Sequence, residues 1–237
     1  FFDPITATWS YIVYAKNDPD NRCAIIDSVL DYDIYSGRTK TTSADHLINF
    51  VKENKLTVQW ILETHIHADH LTACAYLKEK LGGKTGISNH IIDILKTWEP
   101  IFHNEPDTPM DGHQFDHIFE DNESFTIGPF QAYILHTPGH TPADTSYVIE
   151  DCVFVGDSMF LPDVGTGRCD FPGGSADQSY DSSRKLFALP HEYRMYVGHD
   201  YPPNEARDPQ CMATVAQQKQ TNVRVHEGIS KNEYVTK

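Results

Sequence analysis

The residues best equipped for chemistry crowd into one short stretch, Thr64-His65-Ile66-His67-Ala68-Asp69-His70. Three imidazoles and a carboxylate lie side by side there. A neutral imidazole nitrogen offers a lone pair, which makes histidine the commonest protein ligand for a metal near neutral pH. Along an extended segment, alternation directs His65 and His67 to one side. A lone H-x-H pair would be read equally well as a polar turn. The full H-x-H-x-D-H pattern behind an apolar run makes a metal site the stronger reading. Three more such groups follow apolar runs: His140 in His136-Thr137-Pro138-Gly139-His140-Thr141-Pro142, Asp157 after Gly156, and His199 in Gly198-His199-Asp200-Tyr201. A carboxylate just beyond an apolar strand can ligate a cation, although taken alone such an aspartate as often caps a turn.

Positioning these groups requires ordered strands that end together. Val58-Gln59-Trp60-Ile61-Leu62 reads as a buried strand, and residues 71–81 have helical spacing. Asp69 and His70 would then open that helix, where the dipole favours a carboxylate. Upstream, residues 10–15 and 22–26 read as strands around an Asn/Asp/Pro turn. Asp27 at the end of the second is either a polar support for the site or a turn-capping aspartate. Residues 31–40 are predicted as a polar loop, and Ser43 as the cap of a helix to Asn54. Gly82-Gly83 stops the following helix, residues 84–87 form a strand, and Ser88 caps a helix over 90–98. His90, His103, His113 and His117 have no ligand at motif spacing and are expected to be surface or structural. The three prolines of residues 99–112 predict a long loop.

From Phe115 the pattern turns to β, with strands at Phe119, 125–127, 130–135, 147–149, 152–155 and 195–197. His136 is expected to face the sheet. Ser175 caps a helix to about Leu189, and residues 214–226 are predicted helical. The Gly-rich run Gly165-Thr166-Gly167-Arg168-Cys169-Asp170-Phe171-Pro172-Gly173-Gly174 matches no phosphate-loop spacing. Arg168 among glycines reads instead as an arm for a carboxylate, against the plainer alternative of a surface arginine. Cys169 beside it could hold a stabilised thiolate, though a small half-buried loop residue is the simpler reading.

Length suits a single domain spanning 1–237, with about 203–237 as a short C-terminal helical extension. A formal net charge of −15 argues against nucleic acid or an anionic membrane as partner. No apolar run approaches the roughly 18 residues of a transmembrane helix. The chain opens on Phe1 rather than Met, so trimming or processing is expected and no leader can be read. Five cysteines without a CxxC pair fit a reducing compartment, the cytoplasm or an organelle matrix such as that of mitochondria.

Taken together, the His65–His70 turn, His140, Asp157 and His199 resemble the metallo-β-lactamase superfamily. That resemblance implies an α/β (α+β) four-layer αββα sandwich with metal at one edge of two packed sheets. Within the superfamily, H-x-H-A-D-H with Ala68, the G-R-C-D-F run at Arg168 and the Gly198-His199-Asp200-Tyr201 motif are similar to persulfide dioxygenases. Phe1-Phe2-Asp3 is a weaker further match. The likeness implies a mononuclear non-haem Fe(II) enzyme that oxidises glutathione persulfide with O2 and water to sulfite and glutathione. His65, His140 and Asp157 would be the iron ligands. His67, Asp69, His70 and His199 match second-metal positions of hydrolytic relatives and would serve as hydrogen-bond partners around the iron. Arg168 and Tyr201 match positions that hold glutathione. Ala143 and Asp144 depart from the family pattern in the loop after His140. The alternative is a glyoxalase II-like glutathione thioester hydrolase with a zinc or mixed dinuclear site. A homodimer through the Pro-rich 99–112 loop is an expectation for the assembly.

Overall fold

Strict alternation builds the molecule's layers. In the strand Arg22–Ile26, Ala24 and Ile26 face one way while Cys23 and Ile25 face the other, and all four are buried. A strand buried on both faces must be covered on both. The computed structural model, which describes residues 1–102 and 109–236, places this strand in a five-stranded sheet. The order is His117–Phe119, Lys84–Ser88, Thr57–Leu62, Arg22–Ile26, Tyr11–Tyr14, parallel except for the last pairing. A second sheet of six strands runs Ser124–Ile127, Phe130–His136, Thr145–Ile149, Cys152–Phe154, Arg194–Tyr196, Met212–Thr214. Only its Cys152–Phe154 and Arg194–Tyr196 pairing is parallel.

The sheets face each other across a core of Ala24, Ile26, Trp60 and Leu62 against Ile127, Ile134, Tyr147 and Ile149. Trp60 Nε1 donates to the Thr126 carbonyl (3.0 Å) and Tyr147 hydroxyl to that of Glu63 (2.9 Å), pinning the stack with polar bonds. On the outer face of the first sheet, Cys23, Ile25 and Ile61 meet Leu47, Val51 and Leu77 of the helices Thr42–Glu53 and Cys74–Leu81. Outside the second, Val148, Val153 and Met195 meet Leu186 and Phe187 of the helix Ala176–Phe187. The result is the αββα sandwich.

Several local expectations change in the folded chain. Residues 31–40 are not a plain loop: Val29–Asp33 and Arg38–Lys40 form a hairpin around Gly37 (φ 65°). The helix after the histidine motif begins only at Cys74, because Leu71 and Thr72 pair with Leu30 and Val29. Asp69 and His70 therefore sit in a turn rather than on a helix end. Ser43 lies inside its helix and bonds Asp31 through its backbone N–H (2.9 Å) and hydroxyl (2.7 Å), so it is not the cap. The helix Ile91–Phe102 runs on through Pro100, which overturns the loop expected from residue 99. His103 and the rest of 103–108 lie outside the described residues. In the C-terminal stretch, Met212–Thr214 adds an edge strand, and the helices are the shorter Val215–Thr221 and Lys231–Val235. Among the described residues no helix is long and apolar enough to cross a membrane.

Candidate metal centre

Four chain segments leave the sheets at one edge and bring their polar ends together. They follow the strands Thr57–Leu62, Phe130–His136, Cys152–Phe154 and Arg194–Tyr196. Backbone bonds knit these exits: Thr145 N–H to the Thr64 carbonyl (2.9 Å) and Gly198 N–H to that of Gly156 (3.0 Å). His65, His140 and Asp157 converge as one buried group, and His67, Asp69 and His70 as a second. Asp157 Oδ2 lies 3.6 Å from His140 Nε2 and 4.0 Å from His65 Nε2, while Asp157 Oδ1 lies 3.5 Å from His199 Nε2. Those gaps suit a shared cation with bonds of about 2.0–2.2 Å.

The imidazoles are aimed by their other nitrogens. A carbonyl can only accept, so His140 Nδ1 carries the hydrogen it gives to the Arg168 carbonyl at 2.8 Å. Thr64 spends its hydroxyl hydrogen on Asp27 Oδ2 (2.9 Å), leaving its oxygen to accept from His65 Nδ1 at 3.0 Å. His199 Nδ1 likewise donates to the Thr6 carbonyl (3.2 Å). In each ring the lone pair is thereby left on Nε2, the atom facing the cluster. Burial, then the neighbouring imidazoles, hold His65 far below the usual histidine pKa, which keeps that lone pair free.

His67 is anchored from the opposite side. Its Nε2 lies 3.0 Å from Glu63 Oε2 and 3.4 Å from Asp27 Oδ1. Burial opposes a charge on this ring, but the two carboxylates win and its pKa is raised well above the usual value. Asp69 Oδ2 lies between His70 Nδ1 (3.0 Å) and His199 Nε2 (3.1 Å). Burial pulls the Asp69 carboxyl up, yet the His70 bond and the nearby imidazoles outweigh it and keep the acid below its ordinary range.

The donor set fits a metal. His65 Nε2, His67 Nδ1, His70 Nε2 and Asp157 Oδ1 are buried without a hydrogen-bond partner among the described residues. An unsatisfied buried polar atom costs about 1–3 kcal/mol, and a cation here would satisfy several at once. Imidazole and carboxylate accept zinc, iron or manganese, so the set does not name the metal.

Asp27 emerges as a positioning residue. It is buried at φ 50°, an uncommon conformation for a non-glycine residue. Its carboxylate takes both the backbone N–H (2.8 Å) and the hydroxyl of Thr64. Glu63 escaped the reading of the sequence, and Thr64 and Gly167 were named there only within their stretches, without a role. A charged residue squeezed between an apolar strand and the histidine motif was the available signal for Glu63.

The remaining sequence-named residues are placed as follows. Arg168 is exposed and forked onto Asp170 by two bonds of 2.6 Å. Tyr201, also exposed, stacks on His199 with ring centroids 5.6 Å apart. Burial raises its hydroxyl pKa, and the Asp157 and Asp69 charges add to the shift, so it remains a proton donor. Cys169 is half-buried, and burial raises its thiol pKa rather than stabilising a thiolate. His136 donates to the Pro142 carbonyl (2.8 Å) and stacks on His90 (3.8 Å). His113 and His117 pair with Asp111 and Glu123.

The Lactamase_B family model, described as metallo-beta-lactamase superfamily, matches residues 4–199 and so takes in the entire histidine and aspartate set. The chain belongs to the metallo-β-lactamase superfamily. Among members of this superfamily of metal-dependent enzymes, it is 48% identical to "Glyoxylase B2" of Dictyostelium discoideum, covering 92% of this chain and 75% of that protein. It is 29% identical to the mitochondrial persulfide dioxygenase ETHE1 of Homo sapiens, over 84% of this chain and 66% of that one. The crystal structure of ETHE1 from Myxococcus xanthus superposes with a TM-score of 0.77 at 29% identity, covering 100% of this chain and 87% of that chain.

Proposed function

We propose that this superfamily member is a persulfide dioxygenase with one Fe(II) held by His65, His140 and Asp157. The observation that carries this reading is that two imidazoles and one carboxylate form a discrete buried group, the facial set that leaves open positions on a non-haem iron. Iron bound there would supply the redox chemistry. The net reaction is R–S–SH + O2 + H2O → R–SH + sulfite + two protons. The terminal sulfur is oxidised, O2 is reduced, and the S–S bond breaks.

The chain's own residues do the positioning. Thr64 and Asp27 hold His65, and the Arg168 carbonyl holds His140, so neither ring can turn its lone pair away. Asp69 already accepts a hydrogen bond from His70 Nδ1, which supports it as part of a hydrogen-bonded surround rather than as a ligand. The Tyr201 hydroxyl, kept protonated, would donate to the substrate. Arg168 would have to exchange Asp170 for a glutathione carboxylate. Glutathione persulfide and O2 are therefore the substrates to assay. Sulfite formation with stoichiometric O2 consumption by iron-loaded protein supports the reading, and its absence with glutathione persulfide and every other persulfide rejects it.

A dinuclear thioester hydrolase is the second reading. The unpartnered His67 Nδ1 and His70 Nε2 favour it, since both could ligate a second ion. Cleavage of glutathione thioesters without O2, by protein holding two metals per chain, would select it.

A further inference from the structure

Beside the metal centre opens a cavity of about 670 Å3, within the range of small-molecule sites. His67 and His140 stand in its wall, so whatever fills it reaches the centre. The rest of the wall is Ile91, Ile94, Trp98, Phe102, Phe115 and Phe171 with a few smaller contributors. Among the described residues its one carboxylate is Glu99, and no lysine or arginine lines it. The sequence itself holds neither Lys nor Arg between Lys96 and Arg168. Arg168, whose guanidinium lies 4.9 Å over the Phe171 ring, is already neutralised by Asp170. His67 is held between Glu63 and Asp27. Glutathione carries two carboxylates, and the described residues of this wall offer no unpaired cation to either. Apolar surface, in contrast, is plentiful.

From this mismatch we infer that the cavity receives an uncharged alkyl or aryl tail, so that the preferred substrate is an apolar persulfide R–S–SH rather than the glutathione one. The inference rests on the persulfide reading for its reaction and on the cavity for its tail. Each methylene moved from water into an apolar wall is worth roughly fourfold in affinity. Three to four buried methylenes therefore amount to about 100-fold.

Two measurements test it on the full chain. With iron-loaded enzyme, O2 uptake is compared for octyl persulfide and glutathione persulfide. The expected kcat/KM is at least about tenfold higher for octyl persulfide, and Glu99→Lys narrows or reverses the ratio by adding a cation to the wall. Equal or lower kcat/KM for octyl persulfide overturns the inference. Separately, metal-free protein is titrated with 1-octanethiol and with glutathione while tryptophan fluorescence is followed, and Trp98→Phe identifies the reporting residue. Saturation by octanethiol at much lower concentration than by glutathione, lost in Trp98→Phe, supports the apolar site. No preference removes it. Octanethiol binding without O2 uptake from any persulfide would reject the dioxygenase reaction and leave the cavity assignment standing.

Discussion

Replacing Gly167 with alanine perturbs the metal centre from outside it. A Cβ at this position would fall deep inside the van der Waals envelope of the Asp157 carbonyl oxygen and 3.3 Å from His140 Nδ1. Gly167 also donates its N–H to that same carbonyl at 3.1 Å. The strand of chain must retreat by roughly an ångström to restore ordinary contact. Its neighbour Arg168 carries the carbonyl that fixes the His140 ring at 2.8 Å. Loss of a bond that orients a metal-binding histidine typically weakens metal affinity by about 10–100-fold, and a 1 Å misplacement can cost about 100-fold in rate. G167A is therefore expected to lower metal affinity about tenfold or more, measured by competition with a chromogenic chelator, while the far-ultraviolet circular dichroism spectrum stays unchanged. Arg168→Ala is the control: it removes the exposed guanidinium but keeps the carbonyl, so metal affinity should hold. Parent-like affinity in G167A, or an equal loss in Arg168→Ala, would refute the reasoning.

Three further outcomes follow from other parts of the molecule. Arg207 forks onto buried Asp200 and onto Asp163, so Arg207→Met leaves the Asp200 carboxylate without its cation. A loss of about 3 kcal/mol, or roughly 6–12 °C in Tm at this chain length, is expected in a thermal melt. Burial pushes the Cys23 thiol up to about 12 and raises that of Cys74 further, so native protein treated with iodoacetamide at pH 8 should show neither residue alkylated by mass spectrometry. Burial pushes the Asp144 carboxyl up to about 7, above its unfolded value near 4. Its folded form then binds the proton more tightly, so this group's stabilisation is complete below about pH 4 and is lost as pH rises toward 7. Urea unfolding of metal-free protein should show that decline between pH 5 and 7, and a flatter profile in Asp144→Asn.

The ligand turn, His140, Asp157 and His199 were visible in the sequence because each follows an apolar strand by a few residues, and that spacing is local. The strands over 22–26 and 147–149 were likewise legible from their short apolar runs. The hairpin over 29–40 was hidden because its partner for the first strand, Leu71–Thr72, lies about forty residues away. The helix through Pro100 was hidden because proline is a general helix breaker, and Ile91, Ile94 and Trp98 hold it against Ile87 and Phe115 from elsewhere in the chain.

Sequence by itself therefore named the strands and the candidate metal-binding groups, which depend on residue type and short-range spacing, and through its family resemblance the αββα layering. Only the tertiary structure decided how each imidazole is aimed. Asp27 is 37 residues from Thr64 and the Arg168 carbonyl 28 from His140, and a hydrogen bond acts only at contact. The apolar cavity was decided there too, since its wall joins side chains from five separate segments.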